Sequence, residues 1–135
     1  MAGLKPFILL LLLGGCTIMS TPFNDVDVSL NSFEAIQKLK DDGWIVGVGN
    51  NEYKPFDVVT RAEMAVFIMR AKYGPYYQPA IPSNLPSDVD PDYWGAKWIG
   101  AALNENLMDL YPDGKFYPRN PASRADMAVI VWLLK

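Results

Sequence analysis

The sequence predicts a mainly α protein made of two copies of one helix–loop–helix unit, each loop carrying a short extended strand. The second helices of the two units pack into a central bundle. Three observations carry this. First, Thr60-Arg61-Ala62-Glu63-Met64-Ala65-Val66 and Ser123-Arg124-Ala125-Asp126-Met127-Ala128-Val129 each set a hydroxyl residue three places before an acid, then run on through apolar residues. This is a capping-box helix start, in which the hydroxyl takes one orphan amide and the acid reaches back to another. Second, the two stretches lie 63 residues apart, and that offset holds without a gap from Asp25–Lys72 onto Asp88–Lys135. Ser29 falls on Asp92 as a helix cap, Gly43 on Asn106 as a left-handed stop, and Asn50-Asn51 on Asp113-Gly114 as a tight turn. Backbone jobs stay in register while side chains drift, which marks an internal duplication. Third, Met64–Met69 and its counterpart in the last helix are apolar nearly all round, as buried helices are.

The elements follow in chain order. In residues 1–15, Lys5 precedes a short apolar run, Phe7–Leu13, too short for a bilayer span of roughly 20 residues and suited to a secretory signal. Leu13-Gly14-Gly15 then leads into Cys16, the only cysteine in the chain. A lone cysteine makes no internal disulfide, so lipidation is its natural use, an ordinary signal peptide being the alternative. Residues 16–22 form a tether reaching at most roughly 25 Å. The first unit, 23–72, opens with Asp25-Val26-Asp27 and a helix over about 30–42, with Leu30, Phe33, Ile36 and Leu39 on its apolar side. Gly43 stops it, Trp44-Ile45-Val46 tucks the chain back, Glu52–Lys54 is extended, and Thr60 starts the second helix. Residues 73–86 hold Pro75, Pro79, Pro82 and Pro86, giving a semi-rigid connector whose tyrosines and Ile81 are expected to pack on the surface. The second unit, 87–135, repeats the plan. Trp94, Trp98, Ile99 and Leu103 line its first helix, and Ala125–Leu134 is its second.

Arg61 and Arg124 open the two apolar helices and are expected to point away from the apolar run. A guanidinium beside a helix amino end can seat an anion. With 15 acids against 12 bases the chain has no general field for polyanions, so nucleic acid is not an expected partner. It has no histidine, which removes the common nucleophile–base pairs and metal sites, and no cofactor or catalytic residue is expected. Asp88-Val89-Asp90-Pro91-Asp92 begins like a calcium loop, but Tyr93 and Ile99 stand where glycine and a bidentate glutamate are needed. Those acids read as caps and turn formers. Trp94, at a helix start, is the tryptophan best placed to stack on a sugar.

Both units resemble S-layer homology motifs, the second through Tyr93-Trp94 and Tyr111-Pro112-Asp113-Gly114-Lys115-Phe116-Tyr117-Pro118, the first through Thr60-Arg61-Ala62-Glu63-Met64-Ala65. Leu-Gly-Gly-Cys resembles the lipobox of bacterial lipoproteins. These resemblances imply an extracytoplasmic, lipid-anchored envelope protein, with an outer-membrane location open to it. It would bind pyruvylated cell-wall polysaccharide or a peptidoglycan-linked glycan, without enzymatic activity. Arg61 and Arg124 would contact the acidic sugar, with Thr60, Glu63, Ser123 and Asp126 setting their geometry. The alternative is a structural lipoprotein that docks on another surface-layer protein and touches no glycan. The family assembles three units into a pseudo-trimer, so two units make it incomplete, and self-association or a partner protein's unit would complete it. Phe67, Ile68, Met69, Val131 and Trp132 offer apolar surface for that. Two departures bear on the grooves. The first unit lacks the aromatic start and the Asp-Gly turn, and Leu110 stands where a glycine is usual.

Overall fold

The computed structural model describes residues 21–135. The expected signal segment, Cys16 and most of the expected tether lie outside them. The described chain forms α1 (Phe33–Asp41), α2 (Arg61–Tyr73), α3 (Ala96–Asn104) and α4 (Arg124–Leu133). Among the described residues there is no strand, only isolated bridges at Gly49–Glu52 and Thr60–Pro121. The extended piece at Glu52–Lys54 shrinks to one bridge because Lys54 turns to φ 59°.

Both long helices start as their sequences require. Thr60 Oγ1 accepts from the Glu63 amide, while the Glu63 carboxylate accepts from the Thr60 amide at 2.8 Å. Ser123 and Asp126 repeat the exchange at 3.1 and 2.8 Å. The first helices start later than the apolar spacing suggests, at Phe33 and Ala96, and Ser29 and Asp92 are not their caps. Instead, Asp27 and Asp90 each accept the amide two residues on, at 2.8 Å, and the chain turns there before helix begins. The stops hold: Gly43 sits at φ 79° and Asn106 at φ 53°.

The loops between helices close identically in the two repeats. Asp25 accepts the amides of Tyr53 and Lys54 at 2.8 and 2.7 Å, and Asp88 those of Phe116 and Tyr117 at 3.0 and 2.7 Å. Asp88 thus ties down a loop 28 residues away rather than forming the local cap or turn expected of it. Val48 N–H donates to Glu52 O at 2.8 Å, as Tyr111 N–H does to Lys115 O at 2.9 Å. Inside that shared closure the turns differ. Asn50 and Asn51 both take positive φ, whereas the second repeat uses Gly114 alone. The first repeat therefore reaches the same closure without an Asp-Gly pair, through a different turn. Nor does Leu110 crowd the backbone. Its counterpart Gly47 needs φ 78°, with a built Cβ only 2.3 Å from Glu52 O, while Leu110 keeps negative φ.

One core runs through both repeats. Ala62, Met64, Ala65, Ile68 and Met69 of α2 are fully buried with Trp98, Ile99 and Ala102 of α3 and with Phe116. A smaller cluster, Phe23, Val26, Ile36 and Ile45, lies under α1. α2 packs against α3 and α4 and is the buried helix its composition predicts. α4 is not. Only Asp126 is buried on it, and Met127, Val131 and Trp132 are more than half exposed. The surplus apolar surface thus belongs to α4, while Ile68 and Met69 are covered. In the connector, Tyr77 stacks on Tyr73 and meets Trp98 edge-on, but Ile81 is 77% exposed rather than packed. Pro82 crosses α3 at Gly100, where a Cβ would come within 2.2 Å of the proline ring. Among the described residues no helix is long and apolar enough to cross a membrane.

Candidate functional site

The seam between the repeats is built around Arg61. Its position at the first turn of α2 would leave it wet on an isolated helix, but the second repeat folds over it and leaves 3% exposed. Arg61 is thus closed to an outside anion, although it was expected to offer a seat for one. Nη1 donates to both Asp126 oxygens at 3.0 and 2.9 Å, Nε to Phe116 O at 2.9 Å, and Nη2 to Asp109 O at 2.6 Å. The guanidinium also lies over the Phe116 and Tyr111 rings, 4.5 and 5.1 Å from their centroids. The anion seated at Arg61 is therefore Asp126, the capping-box acid of the other repeat. Removing one member of such a buried pair costs about 3–5 kcal/mol, because the other charge is left stranded. The amino end of α2 adds to the seam. The amides of Arg61 and Ala62 donate to Asn120 O and Pro118 O at 2.8 and 3.0 Å.

Those carbonyls belong to a loop that walls a cleft. Asp88, Asp90, Tyr93, Tyr117, Pro118, Arg119 and Asn120 line a depression of about 320 Å³. Trp94 stands beside it, 55% exposed and 5.4 Å from the Tyr93 ring centre. Burial raises the Tyr93 hydroxyl above its ordinary pKa, and the positive charge of Arg119 opposes that shift. Among the described residues the exposed Arg119 side chain makes no hydrogen bond or ion pair. Both oxygens of Asp88 already receive backbone amides. The cleft thus offers an unengaged cation beside two aromatic faces. The first repeat does not repeat it. The counterparts of Tyr93, Trp94 and Arg119 are Leu30, Asn31 and Phe56.

The residues singled out from the sequence divide into three groups. Arg61, Asp126 and Ser123 meet in the seam, Thr60 and Glu63 form the capping box at its edge, and Trp94 flanks the cleft. Arg124 stands apart, exposed at the start of α4. Arg119 was not among them. It follows a turn rather than opening a helix, and only the fold of the 117–120 loop against the start of α3 brings it to Tyr93. The one signal was that it alone of the second repeat's arginines had no cap or helix position to explain it. Among the described residues no group of three His, Cys, Asp or Glu is placed to hold a metal ion.

Two like helix pairs, joined by the arginine of one reaching the capping acid of the other, define a tandem-repeat domain. The S-layer homology domain model matches residues 22–65 and 87–128, and the chain belongs to that family. It is 28% identical over 113 residues to the Middle cell wall protein of Brevibacillus brevis, covering 83% of this chain and 10% of that protein. It is 26% identical over 99 residues to the Surface layer protein of Brevibacillus choshinensis, covering 73% and 9%. It is 28% identical over 112 residues to the Cellulosome-anchoring protein of Acetivibrio thermocellus, covering 82% and 24%. The chain spans a quarter or less of these relatives.

Proposed function

We propose that this domain is a non-enzymatic envelope anchor that binds a carboxylate-bearing cell-wall glycan in the second repeat's cleft. The observation that carries the reading is Arg119, an unengaged guanidinium that shares a cleft with half-buried Tyr93, with the exposed Trp94 ring beside it. A sugar ring stacks on an aromatic face through its C–H surface, and an acidic substituent such as a pyruvyl group pairs with a guanidinium. Membership of the family and likeness to cell-wall, surface-layer and anchoring proteins support it. In this reading Arg119 takes an anionic contact of the kind that the resemblance gives to Arg61 and Arg124. Arg61, Asp126, Ser123, Thr60 and Glu63 hold the seam whose loop carries Arg119. Leu-Gly-Gly-Cys supports diacylglyceryl modification of Cys16, which would hold the domain near a membrane surface in the cell envelope.

Co-sedimentation with purified cell-wall sacculi tests it. The wild-type domain pellets, and pelleting drops about tenfold or more for Arg119→Ala and for Trp94→Ala, as expected when a charge-assisted contact or a stacking face is lost. Sacculi stripped of acidic substituents bind the wild type as weakly as intact sacculi bind Arg119→Ala. If both variants stay folded and pellet like the wild type, the cleft is not the glycan site.

A further inference from the structure

The seam has a direction. The first repeat gives an arginine and the apolar flank of its second helix. The second repeat receives them with its first helix and its capping-box acid. α2 packs on α3 and α4, and a Cβ at Gly95 would lie 3.4 Å from Ala62. The 63-residue register shows what stays open. Met64, Ile68 and Met69 are 2%, 0% and 0% exposed, while their counterparts Met127, Val131 and Trp132 are 51%, 62% and 57% exposed. Arg61 is buried against Asp126. Its counterpart Arg124 is exposed and, among the described residues, makes no side-chain hydrogen bond or ion pair. This flank of α4 frames an apolar depression of about 520 Å³ with Arg124 and Lys135 at its ends. Among the described residues the second repeat's giving side is therefore bare.

So is the first repeat's receiving side. Among the described helices α1 packs closely on none of the other three. Ala35 and Leu39 are exposed where α3 buries their counterparts Trp98 and Ala102. Among the described residues the Glu63 carboxylate, counterpart of Asp126, is held only by Thr60's amide and hydroxyl. One chain thus carries both halves of an interface whose geometry it already displays internally.

We propose that a second copy of this chain docks head to tail, with α4 of one copy against α1 of the other and Arg124 paired with Glu63. Charge complementarity and continuity with the internal seam select this occupant. Such an interface is heterologous, so it closes into a small ring or extends as a chain.

The test uses the full chain in mild detergent with Cys16→Ser, so that engineered thiols are the only ones. Light scattering is expected to give more than one chain per particle, falling to one for Val131→Asp, an exposed position whose change leaves the fold intact by circular dichroism. Mixing Ala35→Cys with Val131→Cys chains is expected to give a disulfide between the two kinds. A monomer at every concentration overturns the proposal, as does a mass that Val131→Asp leaves unchanged. Cross-linking of Val131→Cys chains to each other alone also overturns it, because that would mean α4 pairs face to face.

Discussion

At the scale of single residues, the same residue type in the same motif has opposite fates at Arg61 and Arg124. Helix position fixes where a side chain starts, and what folds over it decides its burial and partners. Arg61→Ala strands Asp126 in the seam and is expected to destabilise the domain by about 3–5 kcal/mol. Arg124→Ala, at an exposed site, is expected to stay within about 0.5 kcal/mol for the isolated chain. Paired denaturant titrations check both, and equal effects would mean the seam is not a buried ion pair. The carboxylates give a second expectation. The Tyr53 amide is the main cause holding Asp25 below the ordinary carboxyl pKa, the Ser29 hydroxyl the main one for Asp27, and the Tyr117 hydroxyl for Asp113. A carboxyl depressed in the folded state adds stability that is complete above its unfolded value, about 3.9. That contribution fades as pH falls through the lower folded value. Melting temperature should therefore hold on acidification to about pH 4 and drop below it, with a shallower drop in Asp25→Asn. An unchanged acid limb in that variant would count against the Asp25 contacts.

At the scale of elements, the two repeats show which parts of a helix pair depend on neighbours. α2 and α3 share the larger core, whereas α1 rests on the small cluster of Phe23, Val26, Ile36 and Ile45. Local opening follows local burial, so amide exchange should be faster in α1 than in α2 and α3. Equal protection in all three would show the small cluster to be as strongly tied as the large one. The connector is an element in its own right, because Pro82 is seated on α3 by the absence of a side chain at Gly100. Gly100→Ala gains helix propensity, yet it forces Pro82 away and is expected to cost about 1–3 kcal/mol in a thermal melt. A stabilised variant would mean the connector lifts freely.

At the scale of the whole molecule, the seam converts two small units into one core. The capping-box starts of α2 and α4, the left-handed stops at Gly43 and Asn106, and the turns at both loop tips were legible, because each rests on backbone conformations within a few residues, whereas the starts of α1 and α3 were not. The cleft was half legible. Trp94 announces itself as an aromatic at a helix start, but Arg119 becomes a site residue only when its loop is pinned by the amides of α2. The role of α4 was misread for a related reason. An apolar helix records what it is suited to bury, and among the described residues nothing covers the outer flank of α4.

The sequence by itself determined the repeat, its register, its two capping boxes and its left-handed stops, since these follow from local hydrogen bonding and sterics. Only the tertiary structure decided which arginine is buried, which carboxylate it meets and which apolar flank stays open. Those outcomes depend on what the other repeat lays across each helix, and two sites with the same local sequence receive different neighbours.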